Sequence, residues 1–277
     1  MSDVPMISVV MPNANGARYL CQALDSFLAQ DYPAKEMVIV DGLSTDASHD
    51  IIRKYTGQYP AVIRWIEEPD LGISDAVNKG IDACRGRFVG YLGNDDVLCQ
   101  GLFREIATLA AHIPFDVVYF NSYTYHVKTR KCYLQKPATT DITIENLLRH
   151  GTIVGLQNMY FQRRLFDIVR FNPKNRYSMD YEILLSLAKN NNPLFIYRDR
   201  VATINFFDNN ITDQGVKQRE EAVGVTLQYL GDYAGPLWCE KMLPPEWQKR
   251  RQAMRGGPLK RAARAIAKRI HQAGLNA

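Results

Sequence analysis

The chain contains no apolar run approaching the roughly 18 residues that a membrane-spanning helix requires, which excludes a helical integral membrane protein. Its start, MSDVPMISVV, lacks the basic opening and cleavage site of a secretory leader, so a cytosolic location is expected. Cysteine is sparse: Cys21, Cys84, Cys99, Cys132 and Cys239 form no Cys-x-x-Cys pair and no metal-ligand spacing, and read as reduced packing residues. Internal repeats and low-complexity stretches are absent, which excludes a solenoid or a linker-dominated chain. Acidic residues are missing after Glu246, whereas Lys249, Arg250, Arg251, Arg255, Lys260, Arg261, Arg264, Lys268 and Arg269 bring nine positive charges. Taking those nine from the net +5 leaves −4 for everything before them, so a basic nucleic-acid footprint over the whole protein is excluded. What remains is 277 residues of ordinary globular composition, 46% hydrophobic and 23% charged, enough to bury a core without cross-links.

The first hundred residues alternate between short β-branched runs and helical apolar faces. MISVVM (6–11), MVIV (37–40), VIRWIEE (62–68) and RFVGYL (87–92) read as strands. Between them lie Leu20, Leu24, Phe27 and Leu28, then Ile51, Ile52 and Tyr55 with Asp46 or Ser48 as N-cap, then Ile73, Ala76, Val77 and Ile81. Strand and helix in alternation predict right-handed crossovers and a mostly parallel sheet, whose ligand sits beyond the carboxyl ends of the strands. After residue 100 the sequence predicts a helix over 102–110, a hairpin about the basic turn Lys128–Lys131 and a short helix near 144–149. A strand near 157–161, a helix near 180–190 and two strands, LFIYR and VATINF, follow.

Three of the four strand ends carry carboxylates. Asn94-Asp95-Asp96 follows directly on FVGYL, and two adjacent carboxylates at a strand end repel unless a cation or hydroxyl donors justify them. Oxygen ligands of this kind suit Mg²⁺ or Mn²⁺, which bind through one or two carboxylates plus substrate phosphates. On the residues alone, an Asp-Asp turn or helix cap remains open.

ISVVMPNANGARYLCQALDSFLAQDYPAKEMVIVDGLSTDAS and EEPDLGISDAVNKGIDACRGRFVGYLGNDD together resemble the opening of the family 2 glycosyltransferases over roughly the first 100 residues. The resemblance implies an α/β fold of GT-A type: a Rossmann-like, mostly parallel sheet flanked by helices, with a C-terminal acceptor-side region. It divides the chain into a nucleotide-sugar-binding half (1–100), an acceptor and catalytic half (101–235) and a basic tail (236–277). It also implies an inverting transfer of a hexosyl or N-acetylhexosaminyl group from a UDP-sugar to a glycan or lipid-linked saccharide of cell-surface polysaccharide, with Mn²⁺ or Mg²⁺.

The same resemblance assigns roles to positions. Asp41 matches the carboxylate on the nucleobase, Asp95 that on the ribose and Asp96 the metal ligand. Pro12, Asn13 and Asn15 would line the base pocket, Asp70 and the helix from Ile73 would border the donor, and Asn94 and Lys79 join the donor-binding set. Two departures stand out: Ala14 replaces a common aromatic residue, and Asn-Asp-Asp replaces the commoner acid-x-acid-acid pattern. Later in the chain, Asp180 in Arg176-Tyr177-Ser178-Met179-Asp180 matches the catalytic base, with Glu182 behind it and a helix N-cap as its structural reading. His150, Thr152, Gln157 and Asn158 form a looser polar match, with His150 read as a loop residue.

From Pro258 onward, Leu259, Ala262, Ala263, Ile266 and Ile270 share a helical face opposite basic residues. That pattern predicts a basic amphipathic helix on an anionic membrane surface, the inner face of the cell membrane for a cytosolic protein. Two other readings stay open: a nucleotidyltransferase, which would show a Gly-rich, Lys-containing loop after the first strand, and a catalytically silent nucleotide-sugar-binding protein.

Overall fold

The computed structural model describes residues 4–190, 193–207 and 212–230. Strands β1 (Ile7–Asn13), β2 (Lys35–Asp41), β3 (Ile63–Glu67) and β4 (Phe88–Tyr91) alternate with helices α1 (Ala17–Leu28), α2 (Ser48–Gln58) and α3 (Ile73–Ala83). All seven residues of β1 are buried, because helices cover both faces and leave no solvated side to alternate with. Ile7, Val9 and Met11 pack with α1, while Val10 packs with α3 on the other face. Gly80 of α3 lies so close to β1 that a Cβ there would come within 2.3 Å of Val10. These strands pair in parallel in the order β3-β2-β1-β4, as their alternation with helices predicts.

The second half extends the same sheet. It adds β5 (Asp96–Leu98), α4 (Leu102–His112), β6 (Val117–His126), β7 (Lys131–Gln135) and α5 (Ile144–His150). β8 (Met159–Gln162), α6 (Met179–Asn190), β9 (Phe195–Phe207) and α7 (Thr212–Leu230) follow. β8 runs antiparallel between β4 and β6, and β9 pairs parallel with β6 and antiparallel with β5. The β6–β7 hairpin about residues 128–131 forms as its sequence predicts. The whole sheet is therefore mixed, and it joins the two halves distinguished in the sequence.

Three local expectations change. LFIYR and VATINF form one strand, β9, because the polar Asp199-Arg200 that reads as a break is absorbed where the β6–β9 ladder shifts register at Phe120–Ser122. Asp96, expected in the loop that ends the fourth strand, opens a short strand, Asp96–Leu98, whose partner Thr203–Asn205 lies more than a hundred residues away. The cap position of α2 is Ala47; Asp46 accepts instead from the N–H groups of Ser48 (2.9 Å) and Ala17 (3.0 Å), tying two loops together. The basic tail at 236–277, with the helix expected from Pro258, lies outside the described residues.

Candidate active site

The ends of β1, β2 and β4 converge through a chain of polar side chains. Asn13 donates from Nδ2 to Asp41 Oδ1 (2.6 Å) and accepts at Oδ1 from Asn94 Nδ2 (2.8 Å). Asp41 is fully enclosed and also accepts from the Ser44 hydroxyl (2.5 Å) and the Ser44 N–H (2.9 Å), with His49 Nε2 at 3.4 Å. Ser44 in turn accepts from the N–H of Asn15 (2.8 Å), so the loops after β1 and β2 are stitched together. Both loops bend through positive φ, at Asn15 (52°) and at Leu43 (61°), which for leucine is a strained backbone. The structure thus gathers Asn13, Asn15, Asp41 and Asn94, with Pro12 buried at the same strand end. Asp70 joins them from β3's end: a Cβ on Gly42 would lie 2.3 Å from its Oδ2.

Lys79 is engaged elsewhere along the rim. Its ammonium donates to Pro69 O (2.6 Å) and pairs with Glu68 (3.0 Å) and Asp75 (3.2 Å), acceptors that satisfy it without a phosphate.

The acidic pair begins where β4 ends. Gly93 permits both carboxylates to turn inward, since a Cβ there would sit 2.8 Å from Asp95 Oδ1 and from Asp96 Oδ2. Asp96 is buried and accepts from Asn205 Nδ2 (2.5 Å) and the Gly93 N–H (3.2 Å). Burial first, and the neighbouring Asp95 charge second, push its carboxyl up to about 7. Asp95 reaches solvent but is recessed enough that desolvation raises it as well.

Asp180 occupies the first turn of α6, one residue inside Met179 rather than at the cap. It accepts from the Tyr181 N–H (3.0 Å), and the Thr152 hydroxyl also hydrogen-bonds to it, yet burial raises its carboxyl to about 6. Glu221 of α7 receives the N–H groups of Arg176 (2.8 Å), Tyr177 (2.6 Å) and Ser178 (2.8 Å), which fixes the approach to this helix. Glu182 holds Asn172 (3.2 Å) and Asn175 (2.7 Å) within the core, so it serves packing rather than the crevice. Asn158 is likewise internal, accepting from Thr203 Oγ1 (2.6 Å), and His150 is exposed at the end of α5.

Tyr91 feels the charges of both acidic centres. Desolvation raises its phenol above the ordinary range, and the charges of Asp96, Asp95 and Asp180 raise it further. One hydroxyl therefore sits within the field of carboxylates that lie about 85 residues apart in the chain, and it stays protonated among them. Sequence reasoning missed Tyr91 and the Asn205 partner of Asp96. Tyr91 has a signal, a lone polar side chain in FVGYL; Asn205 has none, since its role depends on a pairing 109 residues distant.

Two hard carboxylates at one glycine fit a divalent ion that arrives with a diphosphate. Among the described residues no cluster of three or more His, Cys, Asp or Glu forms a protein-only cage, so phosphate and water would supply the remaining ligands.

The glycosyl transferase family 2 model matches residues 8–179, more than half of the chain. The chain belongs to this family. A Mycobacterium bovis PGL/p-HBAD biosynthesis glycosyltransferase is 36% identical to this family 2 chain over 117 residues, which cover 42% of this chain and 46% of the relative. The match thus spans about half of that relative's length. Among solved structures, S. aureus TarS 1–349 in complex with UDP-GlcNAc shares the fold with a TM-score of 0.64 at 17% identity, covering 86% of this chain and 71% of that one. The mannosyltransferase PcManGT from Pyrobaculum calidifontis, in complex with GDP-Man and Mn²⁺, aligns with a TM-score of 0.59 at 16% identity, covering 97% and 81%. The architecture is that of the GT-A glycosyltransferases.

Proposed function

We propose that the chain is a metal-dependent, inverting glycosyltransferase that moves a sugar from a UDP-sugar to a glycan or lipid-linked saccharide of the cell surface. The observation that supports this reading is that the charges of Asp95, Asp96 and Asp180 all act on the Tyr91 hydroxyl. Asp96, with Asp95, would hold Mn²⁺ or Mg²⁺, and a cation bound there neutralises charge developing on the leaving diphosphate. Asp180 takes the proton from the acceptor hydroxyl. A carboxyl raised to about 6 is mostly ionised at pH 7 and is a stronger base than an ordinary aspartate. The enclosed Asp41 orders Asn13 and the Ser44 loop, which present the pocket for the base. The basic tail, read from sequence, brings the enzyme to an anionic membrane surface that carries its acceptor.

The test is product chemistry. UDP-GlcNAc, UDP-Glc, UDP-Gal and GDP-Man are each incubated with the full chain, Mn²⁺ and a panel of saccharide acceptors, and products are analysed by NMR. The expected outcome is transfer from a UDP-sugar with an inverted anomeric centre. Retention of configuration, or no nucleoside diphosphate released from any donor, contradicts the proposal.

The donor pocket gives a second expectation. At Gly16 a Cβ would lie 2.1 Å from Asn94 Nδ2 and 2.4 Å from Asn13 Oδ1, across the hydrogen bond that joins them. Gly16→Ala is therefore expected to weaken UDP binding at least about tenfold in calorimetric titration, the equivalent of 1.4 kcal/mol. Wild-type affinity in this variant would show that the Asn13–Asn94 link does not shape the pocket.

A further inference from the structure

We propose that the sheet face carrying His126, Tyr133 and Phe207 is a platform for a sugar ring of the acceptor. The inference rests on the glycosyltransferase reading and extends it to a site on the β6–β7 hairpin. The strand register supplies the argument. Asp96 pairs with Asn205, Asn205 with Thr124, and Thr124 with Tyr133, so the four residues form one row across β5, β9, β6 and β7. Directly paired residues share a sheet face, and the hydrogen bond from Asn205 to Asp96 shows that this face is the one that opens on the acidic pair. Adjacent strands lie about 4.8 Å apart, which puts Tyr133 about 14 Å from Asp96 along the row. That span accommodates the transferred sugar and leaves Tyr133 beside the acceptor.

Three rings meet at the far end of the row. His126 and Tyr133 lie 5.3 Å apart at 85°, and His126 and Phe207 lie 4.8 Å apart at 61°. On the opposite face of the same strands Phe206 stacks on Tyr19 of α1 at 5.4 Å, while Tyr123 is 37% exposed. Tyr133 is 46% exposed and belongs to neither core cluster, so part of its ring stays open to a ligand. A pyranose ring presents a face of C–H groups with partial positive charge, complementary to the negative face of an aromatic ring. Its hydroxyls point outward from that contact, towards Thr124 and Lys131, which share the platform's face.

Saturation-transfer difference NMR on the full chain tests the platform. The samples contain UDP and Mn²⁺, and the probes are methyl β-D-glucopyranoside, methyl α-D-mannopyranoside and methyl β-D-N-acetylglucosaminide. Irradiating aromatic protons is expected to saturate the ring protons of at least one glycoside. That signal is expected to fall at least about fivefold in Tyr133→Ala and in His126→Ala and to persist in Tyr133→Phe, which keeps the ring. No saturation transfer to any glycoside in the unmodified chain, or an undiminished signal in Tyr133→Ala, overturns the proposal. UDP titrations of the same samples separate the two readings: UDP that fails to bind the unmodified chain sinks the donor reading, whereas the glycoside signal judges the platform itself.

Discussion

Asp180→Asn is expected to lower sugar transfer by about 10²- to 10⁴-fold, the usual contribution of a general base, while leaving the fold and UDP binding in place. The substitution is nearly isosteric, and the amide oxygen can still accept from Tyr181 N–H. The start of α6 is fixed independently by Glu221, whose carboxylate holds three successive N–H groups before the helix. Burial raises the Asp180 carboxyl to about 6, so the unprotonated form needed to accept a proton is depleted below that pH. Transfer by the unmodified enzyme should therefore rise through about pH 6, and the residual rate of the variant should lose that inflection. A variant with full activity, or with the same pH profile, would remove Asp180 from the chemistry.

Asp96→Asn is expected to abolish the dependence on divalent metal and, in EDTA at pH 8, to melt at a higher temperature than the unmodified chain. The sign follows from linkage. The Asp96 carboxyl is held at about 7 in the folded state, above the unperturbed value of about 3.9, so between these limits the folded protein binds the extra proton. Its contribution to stability is complete below about pH 4 and is lost as pH rises through about 7. Removing the charge should then stabilise the fold at pH 8 by on the order of a few kcal/mol, with the difference closing towards pH 4. Asn205 can reverse its amide to serve the new side chain. A site that stabilises the resting fold once its charge is deleted is one whose charge serves a ligand. Equal melting temperatures at pH 8, or a less stable variant there, would contradict this account of the pair.

The parallel half of the fold was legible because its signals are local. β1 to β4 and their helices are each written in a short window, and the strand-end motifs that carry the resemblance lie in the intervening loops. Asp180 could be put forward as a candidate base because its segment keeps both an acidic residue and the apolar helix behind it. Residues defined by distant pairing were not legible. Asp96–Leu98 becomes a strand only because β9 returns beside it, and Asn205 acquires its role through the same pairing. The polar pair Asp199-Arg200 looks like a break until Asn121 and Glu105 are seen to hold it. Tyr91 was visible as an odd residue in an apolar strand, but its meaning required the second half to bring Asp180 to it.

The most direct measurement is calorimetric titration of UDP into the full chain, with and without Mn²⁺, repeated with Asp96→Asn. Joint binding of metal and diphosphate at Asp95–Asp96 predicts that Mn²⁺ tightens UDP binding at least about tenfold in the unmodified chain and has no effect in the variant. Equal UDP affinity with and without Mn²⁺ in the unmodified chain, or the same Mn²⁺ enhancement in Asp96→Asn, would contradict it.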